Sequence, residues 1–424
     1  MKAYKQRIAD NILQRKLEGK GAVLIEGSKW CGKTTTAKQH AKSALMLGNT
    51  AVLKNSLETL ELAPELLVEG STPRLFDEWQ TIPALWDLIR SEVDERGETG
   101  QFILTGSSVL PGVNETIHSG TGRITRLKMR PMSLYESGES NGKVSLEDLF
   151  DGKDIDVIQN ELDLDAITYL ICRGGWPETT FLSGKVALDQ ALDYYDAVTE
   201  VDIRRVDNVR RSSERAKQIL HSYARNLGQQ IPYSTICSDI KANDSQSISD
   251  ETVKDYIDAF KKLYAIEDMP SWNPNLRSKT TIRTSDNRYF VDPSIAAAAL
   301  GIGPADLKND LKACGMFFEN LVVRDLRVYA DTLDGKLYHY RDSNGLECDT
   351  VLHRRNGQYA LIEIKLGGST KIEEGARSIN ALRNIIDTQR MLEPAFCLIV
   401  TAVGQYAYRR PDGVYVVPIG CLRP

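Results

Sequence analysis

Gly27-Ser28-Lys29-Trp30-Cys31-Gly32-Lys33-Thr34 is the stretch on which the fold of this chain turns. Its spacing, G-x-x-x-x-G-K-T, is that of a phosphate-binding loop. Gly27 and Gly32 let the backbone curl until successive N–H groups point inward as an anion-binding nest, with Ser28, Lys29, Trp30 and Cys31 between them. Lys33 can reach the β- and γ-phosphates of a nucleotide, and the Thr34 hydroxyl can ligate Mg²⁺. Thr35 completes the cofactor-binding set. The loop follows an apolar run, Ala22-Val23-Leu24-Ile25, which reads as a buried strand, and Lys33 to Leu45 reads as the next helix. Strand, loop and helix are what the motif requires, and the cofactor it predicts is ATP with Mg²⁺.

Further along, Pro73-Arg74-Leu75-Phe76-Asp77-Glu78-Trp79 is an apolar strand ending in two acids, the pattern of a Walker B element. Asp77 is placed to hold Mg²⁺ through its water shell, and Glu78 to polarise the attacking water. Leu45 to Leu62 should hold a second strand and helix, and a further helix after Pro83 carries Leu85, Trp86, Leu88, Ile89 and Val93 on one side. The strand Gln101 to Thr105 ends in Gly106-Ser107-Ser108. A polar residue at that tip can orient the lytic water; Ser107 is the candidate, with Thr105 and Ser108 as neighbours. The run Gly122 to Pro131 alternates basic and apolar residues, as a strand does. Its Arg123 is the candidate to stabilise charge on the γ-phosphoryl group, in cis or on a neighbouring subunit; a solvated basic face is the alternative. Two strand-helix units between the loop and the Asp-Glu strand predict an α/β fold with an inserted-strand parallel sheet.

The bulk properties narrow the setting. A chain of 424 residues predicts two to four domains, and 42% hydrophobic with 26% charged residues is ordinary globular composition. A net charge of −5 excludes a generally basic nucleic-acid binder, so any DNA contact must be a local patch. No run approaches eighteen apolar residues, and the first residues are charged, so neither a membrane span nor a secretory signal is expected. Seven scattered cysteines without a C-x-x-C pair suit a reducing cytoplasm and offer no zinc site. The five histidines are equally dispersed.

The middle of the chain reads as a connection and a helical module. Residues 136–156 are rich in Gly, Ser, Asn, Asp and Glu, which predicts an exposed linker. Gly174-Gly175-Trp176-Pro177 looks like a packed turn, and a helix is expected from Leu188 to Val209. Arg204, Arg205, Arg210 and Arg211 near its end could contact phosphates, yet Glu200, Asp202, Asp207 and Glu214 neutralise them, and a solvated face is favoured. Three helices follow, at Ser213 to Gly228, Tyr233 to Ile240 and Ser249 to Tyr264, then an alternating stretch from Asp268 to Asp292 suggesting a β-ribbon. Helices plus ribbon predict a winged helix. Its third helix mixes Glu251, Asp255 and Asp258 with Lys254, Lys261 and Lys262, which favours a protein contact over DNA reading.

The last third carries acids in a recognisable order. A helix opens at Phe317 and holds Glu319; strands follow at Leu337 to Arg341, Glu347 to Leu352 and Tyr359 to Lys365. A helix from Lys371 to Ile386 and a strand from Phe396 to Val400 complete the region. Alternation puts Glu363 and Lys365 on one face, and Asp349 on a neighbouring strand could sit beside Glu363. Paired carboxylates can hold Mg²⁺ or Mn²⁺ against a scissile phosphate, with Lys365 activating water and Glu319 completing the set. The order E…D…E-x-K resembles the PD-(D/E)xK nuclease superfamily, with Cys348 where many members have proline. The alternative is a nuclease-like fold kept for docking, its acids structural.

Taken together, Gly27 to Thr34, Leu75 to Gln80, Leu104 to Ser107, Gly122-Arg123, Pro131-Met132-Ser133, Gly174 to Pro177 and the C-terminal Glu-Cys-Asp and Glu-Ile-Lys resemble a widespread prokaryotic family. Its members are AAA-type ATPases joined to a C-terminal domain of unknown function. The resemblance covers almost the whole chain and implies ATP hydrolysis, a winged-helix middle and a nuclease-like end. The expected division is an ATPase at 1–140, a linker and helical lid at 141–210, a winged-helix-like module at 211–305 and a nuclease-like domain at 306–424. The expected function is an ATPase coupled to a DNA-processing domain; the alternative is an ATP-dependent switch with an inactive nuclease-like domain. A homo-oligomer is expected if Arg123 acts on a neighbour's nucleotide.

Overall fold

The computed structural model describes residues 3–106, 120–207, 209–243, 248–277 and 279–424. Ser107 and Ser108 lie outside them.

Helix α1 (Ile8–Gly19) leads into strand β1 (Ala22–Glu26), the phosphate loop and helix α2 (Lys33–His40). Next come β2 (Ser43–Met46), α3 (Thr50–Leu62), α4 (Glu65–Val68), β3 (Arg74–Asp77), α5 (Leu85–Arg96), β4 (Phe102–Gly106) and β5 (Ile124–Lys128). The five strands form one parallel sheet in the order β2-β3-β4-β1-β5. Strand β4 lies between the loop strand and the Asp-Glu strand, so the inserted-strand expectation matches the topology. Both faces are covered, which is why these strands read as continuous apolar runs. Phe76, Phe102 and Leu104 pack with Trp86 and Ile89 on one side. Val23, Ile25, Leu75 and Ile103 pack with Leu13 and Ala37 on the other. Two expectations change here. Helix α2 stops at His40 rather than Leu45 because Ala41 turns extended and the Lys42 amide donates to Pro73 O at 2.8 Å, drawing the chain into the sheet. One strand-helix stretch, not two, therefore separates the loop from β3.

After β5 the chain forms α6 (Leu134–Ser137), β6 (Val144–Ser145), α7 (Leu146–Phe150) and β7 (Ile158–Gln159). The exposed linker expected at 136–156 is thus an anchored segment. Strand β6 pairs in parallel with the last strand of the chain, Val144 opposite Leu422, and β7 pairs with Tyr406 and Ala407. Val144, Leu146, Leu149 and Phe150 are buried, and these few apolar residues outweigh the polar composition around them.

The helical module comprises α8 (Leu164–Arg173), α9 (Gly184–Asp196), α10 (Ser213–Arg225), α11 (Tyr233–Asn243), α12 (Asp250–Lys262), α13 (Pro293–Leu300) and α14 (Pro304–Asn309). The long helix expected to Val209 instead passes at Asp196 into a π turn and a 3₁₀ turn ending at Arg204. The three helices of the winged-helix expectation are present. Of the β-ribbon only the base forms: residues 265–269 and 287–291 run antiparallel in one register, with bridges at Ile266–Phe290 and Met269–Asn287 and the Glu267 amide donating to Tyr289 O at 3.0 Å. The rest of that segment lies on the C-terminal domain, where Ser271, Leu276 and Ile282 bridge to His339, Ile386 and Asp342.

Helix α15 (Leu311–Thr332) and strands β8 (Gly335–Arg341), β9 (Glu347–Arg354) and β10 (Tyr359–Lys365) precede α16 (Ser369–Ile385), β11 (Phe396–Thr401), β12 (Tyr406–Arg409), β13 (Tyr415–Pro418) and β14 (Leu422–Arg423). Their mixed sheet runs β7-β12-β13-β11-β10-β9-β8. Alternation divides it: Ala360, Ile362 and Ile364 join the core of α15 and the helical module, while Leu361 and Ile399 join Ile379 and Leu382 of α16. One apolar core therefore runs without a break from Leu134 through the helical module to Leu422.

Candidate functional site

The glycines of the loop answer two steric demands. Gly27 has φ +152°, and a Cβ there would sit 2.0 Å from Met129 O; Gly32 has φ +99° where α2 begins. Lys33 is buried and its Nζ donates to Gly27 O at 2.9 Å and Ser28 O at 2.8 Å, so its charge is held inside the loop. Ser28 Oγ is buried without a hydrogen-bond partner. An orphaned hydroxyl beside a buried ammonium is a donor set that fits a phosphate.

Register then brings the acid to the loop. Asp77 ends β3 opposite Thr105 on β4, and its Oδ1 accepts from Thr34 Oγ1 at 2.5 Å and Thr105 Oγ1 at 2.7 Å. A hydroxyl and a carboxylate oxygen meeting next to a phosphate cradle suit Mg²⁺, which takes one or two protein oxygens and keeps water on the rest. Glu78 stands in the left-handed region at φ 56°, ψ 44°, and its carboxylate accepts from the Gln80 amide. The turn separates the two acids, with Asp77 inward and Glu78 carried past the strand tip.

Arg123 is elsewhere. Parallel register sets Ala22 against Ile124 and Glu26 against Lys128, so Arg123 stands at the far end of the sheet from the loop. About 13 Å of strand lies between. It is half-exposed and paired with Asp94 at 2.7 Å. The cis reading of this arginine is therefore corrected, because the chain enters β5 at the edge opposite the loop.

Three loop contacts were not legible in the sequence. Arg7, buried ahead of α1, donates to Cys31 O at 2.7 Å, Arg130 O at 2.8 Å and Glu136 Oε1 at 3.0 Å. Lys29 pairs with Asp202 of the helical module at 2.5 Å. Trp30 lies 6.1 Å from the Tyr194 ring, which stacks on Trp176 at 4.1 Å, and Pro177 Cγ is 3.3 Å from a Cβ built on Gly32. The Gly174 to Pro177 turn thus seats the helical module on the loop. The same turn is tied to α15: Asp292 accepts from the Gly175 amide at 2.9 Å and from Arg324 at 3.0 Å. Arg324 also pairs with Asp325 at 2.7 Å. Of the acids expected to neutralise the charge-dense run nearby, Asp207 does so, while Glu200 pairs with Lys217 and Asp202 with Lys29. Arg211 pairs with Asp207 and Asp255, and its guanidinium, against the cost of burial, holds Asp207 down at about 2.

The C-terminal acids do converge, around a cation. Lys365 Nζ donates to Asp349 Oδ2 at 2.9 Å and Glu363 Oε2 at 2.5 Å, while the Ile364 amide donates to Asp349 Oδ2 at 2.8 Å. Burial would lower the Lys365 ammonium, but the Asp349 and Glu363 carboxylates hold it above its usual range. Burial, then the Asp349 charge, pushes Glu363 well up. The same two causes push Glu319, which accepts from the Tyr289 hydroxyl, up to about 8. Among the described residues, no group of three or more His, Cys, Asp or Glu is arranged to hold a metal ion. Of the carboxylates expected as a metal set, Asp349 and Glu363 share the Lys365 ammonium, and the Asp349 charge acts on Glu319 as well.

Three stretches of the chain match family models. Residues 19–138 match the model of an AAA domain, and this part of the chain is a P-loop ATPase domain whose ligand is ATP. Residues 164–306 match a domain of unknown function, DUF8612, and residues 314–422 match another, DUF4143. Uncharacterized proteins of Mycobacterium tuberculosis and Mycobacterium bovis are each 23% identical over 416 residues, covering 97% of this chain and 83% of theirs. Among solved structures, a Walker-type ATPase of Pyrococcus abyssi aligns with 70% of this chain and 96% of its own, at 14% identity and a TM-score of 0.44. No helix among the described residues is long and apolar enough to cross a membrane.

Proposed function

We propose that the protein is an ATP-hydrolysing switch whose nucleotide state is passed by the helical module to the C-terminal domain. The observation that carries this reading is the continuous path from Gly32 through Pro177 and Trp176 to Asp292, Arg324 and α15, the helix that also bears Glu319. Gly27 to Thr35 cradle the phosphates, Lys33 turns from the loop carbonyls to the β- and γ-phosphates, and Glu78 orients the water. Thr34 and Asp77 hold the Mg²⁺ that neutralises phosphate charge. Asp202 and Tyr194 read the loop from the lid side. The units proposed are the ATPase at 1–140, the lid at 141–210, the helical module at 211–305 and the domain at 306–424. The test is ATP turnover in the wild type, Lys33→Ala and Glu78→Gln. The first variant should fail to bind ATP, and the second should bind it and turn over slowly. Normal turnover in Glu78→Gln removes that residue from its role.

A second reading, metal-dependent cleavage of DNA, is favoured by the convergence of Asp349, Glu363 and Lys365. Incubation of plasmid, single-stranded and branched DNA with Mn²⁺ decides it. Equal inertness of wild type and Asp349→Ala on all three removes the nuclease and leaves the switch. Particle mass with and without ATP tests a homo-oligomer in which Arg123 acts on a neighbour's nucleotide.

A further inference from the structure

A cavity of about 510 Å³ opens where the ATPase domain, the 266–270 segment and the C-terminal domain meet. Its walls come from α1, β5, the end of α15 and the start of β8, so no single domain contains it. Eight basic side chains line it against four carboxylates, in a chain whose overall charge is −5. The alternating basic strand that the ATPase chemistry leaves unused, Arg126, Lys128 and Arg130, faces this space.

Part of the charge is satisfied internally. Glu267 pairs with Arg130 at 2.8 Å and Lys128 at 2.9 Å, Asp331 with Arg130 at 2.6 Å, and Asp334 with Arg15 at 2.9 Å. Arg126 pairs with Glu26 at 2.8 Å, outside the cavity lining, and the rest of the charge is not satisfied. Lys16, Lys336 and Arg355 have no ion-pair partner among the described residues. Arg327 is only 5% exposed, yet its Nη1 has no hydrogen-bond partner and stays 3.9 Å from the nearest Glu267 oxygen. Burial, then the Arg15 and Arg355 guanidiniums, pushes the Lys16 ammonium down against the opposing charges of Asp331 and Asp334.

We propose that this cavity binds a phosphate-bearing small molecule of nucleotide size, held between the ATPase sheet and the C-terminal domain. The Arg355 guanidinium and the free Nη1 of Arg327, whose Nη2 donates to Glu267 O at 2.7 Å, match the oxygens of a phosphate, and the volume lies within the range of small-ligand sites, about 300–1,000 Å³. Tyr338 on the wall offers a ring face beside the charged groups. A nucleic-acid backbone is disfavoured because it needs a basic track along the surface, whereas this charge is concentrated in one walled depression of an acidic chain.

The test uses the full chain with the phosphate loop disabled by Lys33→Ala, and in parallel the wild type saturated with a non-hydrolysable ATP analogue. Calorimetric titration with pyrophosphate should give one saturable site in both, weakening as salt rises. Lys336→Glu with Arg355→Glu, both exposed and so safe for folding, should weaken it at least tenfold. Arg327→Met should do the same where it folds. The proposal is overturned if pyrophosphate does not bind, or if the charge reversals leave binding unchanged. It is also overturned if a single-stranded oligonucleotide binds while pyrophosphate does not, which would make the patch a nucleic-acid surface.

Discussion

Arg7→Met tests the support of the phosphate loop directly. The side chain is buried and its guanidinium joins three places: Cys31 O in the loop, Arg130 O beyond β5, and the Glu136 carboxylate that caps α6. Methionine keeps most of the apolar stem and removes every donor. Hydrogen bonds to charged groups contribute about 1.5–3 kcal/mol each, but Glu136 keeps its bonds to the Ile8 and Ser133 amides and the Ser133 hydroxyl. The net cost should therefore be that of breaking one buried pair, about 3–5 kcal/mol. With Cys31 O released, the loop amides are no longer held in their nest, and ATP affinity should fall at least about tenfold, or 1.4 kcal/mol. Urea unfolding and calorimetric ATP titration read the two effects. Lys5→Ala, which loses a half-buried bond to Ser137 O at 2.8 Å and a position over the Phe181 ring, neither of them in the loop, is the control and should leave ATP affinity unchanged. The reasoning fails if Arg7→Met unfolds within 1 kcal/mol of wild type, or is destabilised with ATP affinity intact.

Gly27→Ala should abolish ATP binding, because the added methyl meets Met129 O at a backbone angle that L-residues avoid; normal affinity would remove the steric argument. Asp202→Asn should free Lys29 for the phosphates and raise ATP affinity by up to about fivefold, the most that a half-exposed pair provides. Unchanged affinity would mean that this contact does not compete with the nucleotide. For pH dependence, His339 is held down at about 4 by burial, against the hydrogen bond to Ser285 O and with Arg341 adding to the lowering. The unfolded chain takes up this proton below about 6.5 and the folded chain does not. Its contribution is complete above that pH and is lost as pH falls towards 4, up to about 3 kcal/mol. Urea midpoints at pH 4.5 and 7 should differ less in His339→Gln than in wild type, and an equal difference in both would exclude His339 as the cause.

Residues whose task depends on their immediate neighbours were readable before any coordinates. Gly27, Gly32, Lys33 and Thr34 are spaced by what a backbone needs in order to wrap a phosphate. Asp77 and Glu78 follow an apolar run because a strand delivers them. Alternation along Tyr359 to Lys365 correctly put Glu363 and Lys365 on one face and Asp349 beside them. Tertiary structure decided what depends on distant pairing. Parallel register put Arg123 at the far edge of the sheet, and a two-residue pairing with the chain's end turned a polar linker into an anchored strand. Folding of Ser271, Leu276 and Ile282 onto the C-terminal domain left only the base of the expected ribbon, and Lys365 came to lie between Asp349 and Glu363. The role of Arg7 and the pairing of Asp202 with Lys29 have no sequence signature, and of the basic cavity only the alternating strand with Arg126, Lys128 and Arg130 was legible. Apart from Cys31, 24 positions from Arg7, the side-chain partners of Arg7, Asp202 and Arg15 lie between about a hundred and over three hundred positions away, and electrostatic contacts at such separations are set by packing of whole elements rather than by local spacing.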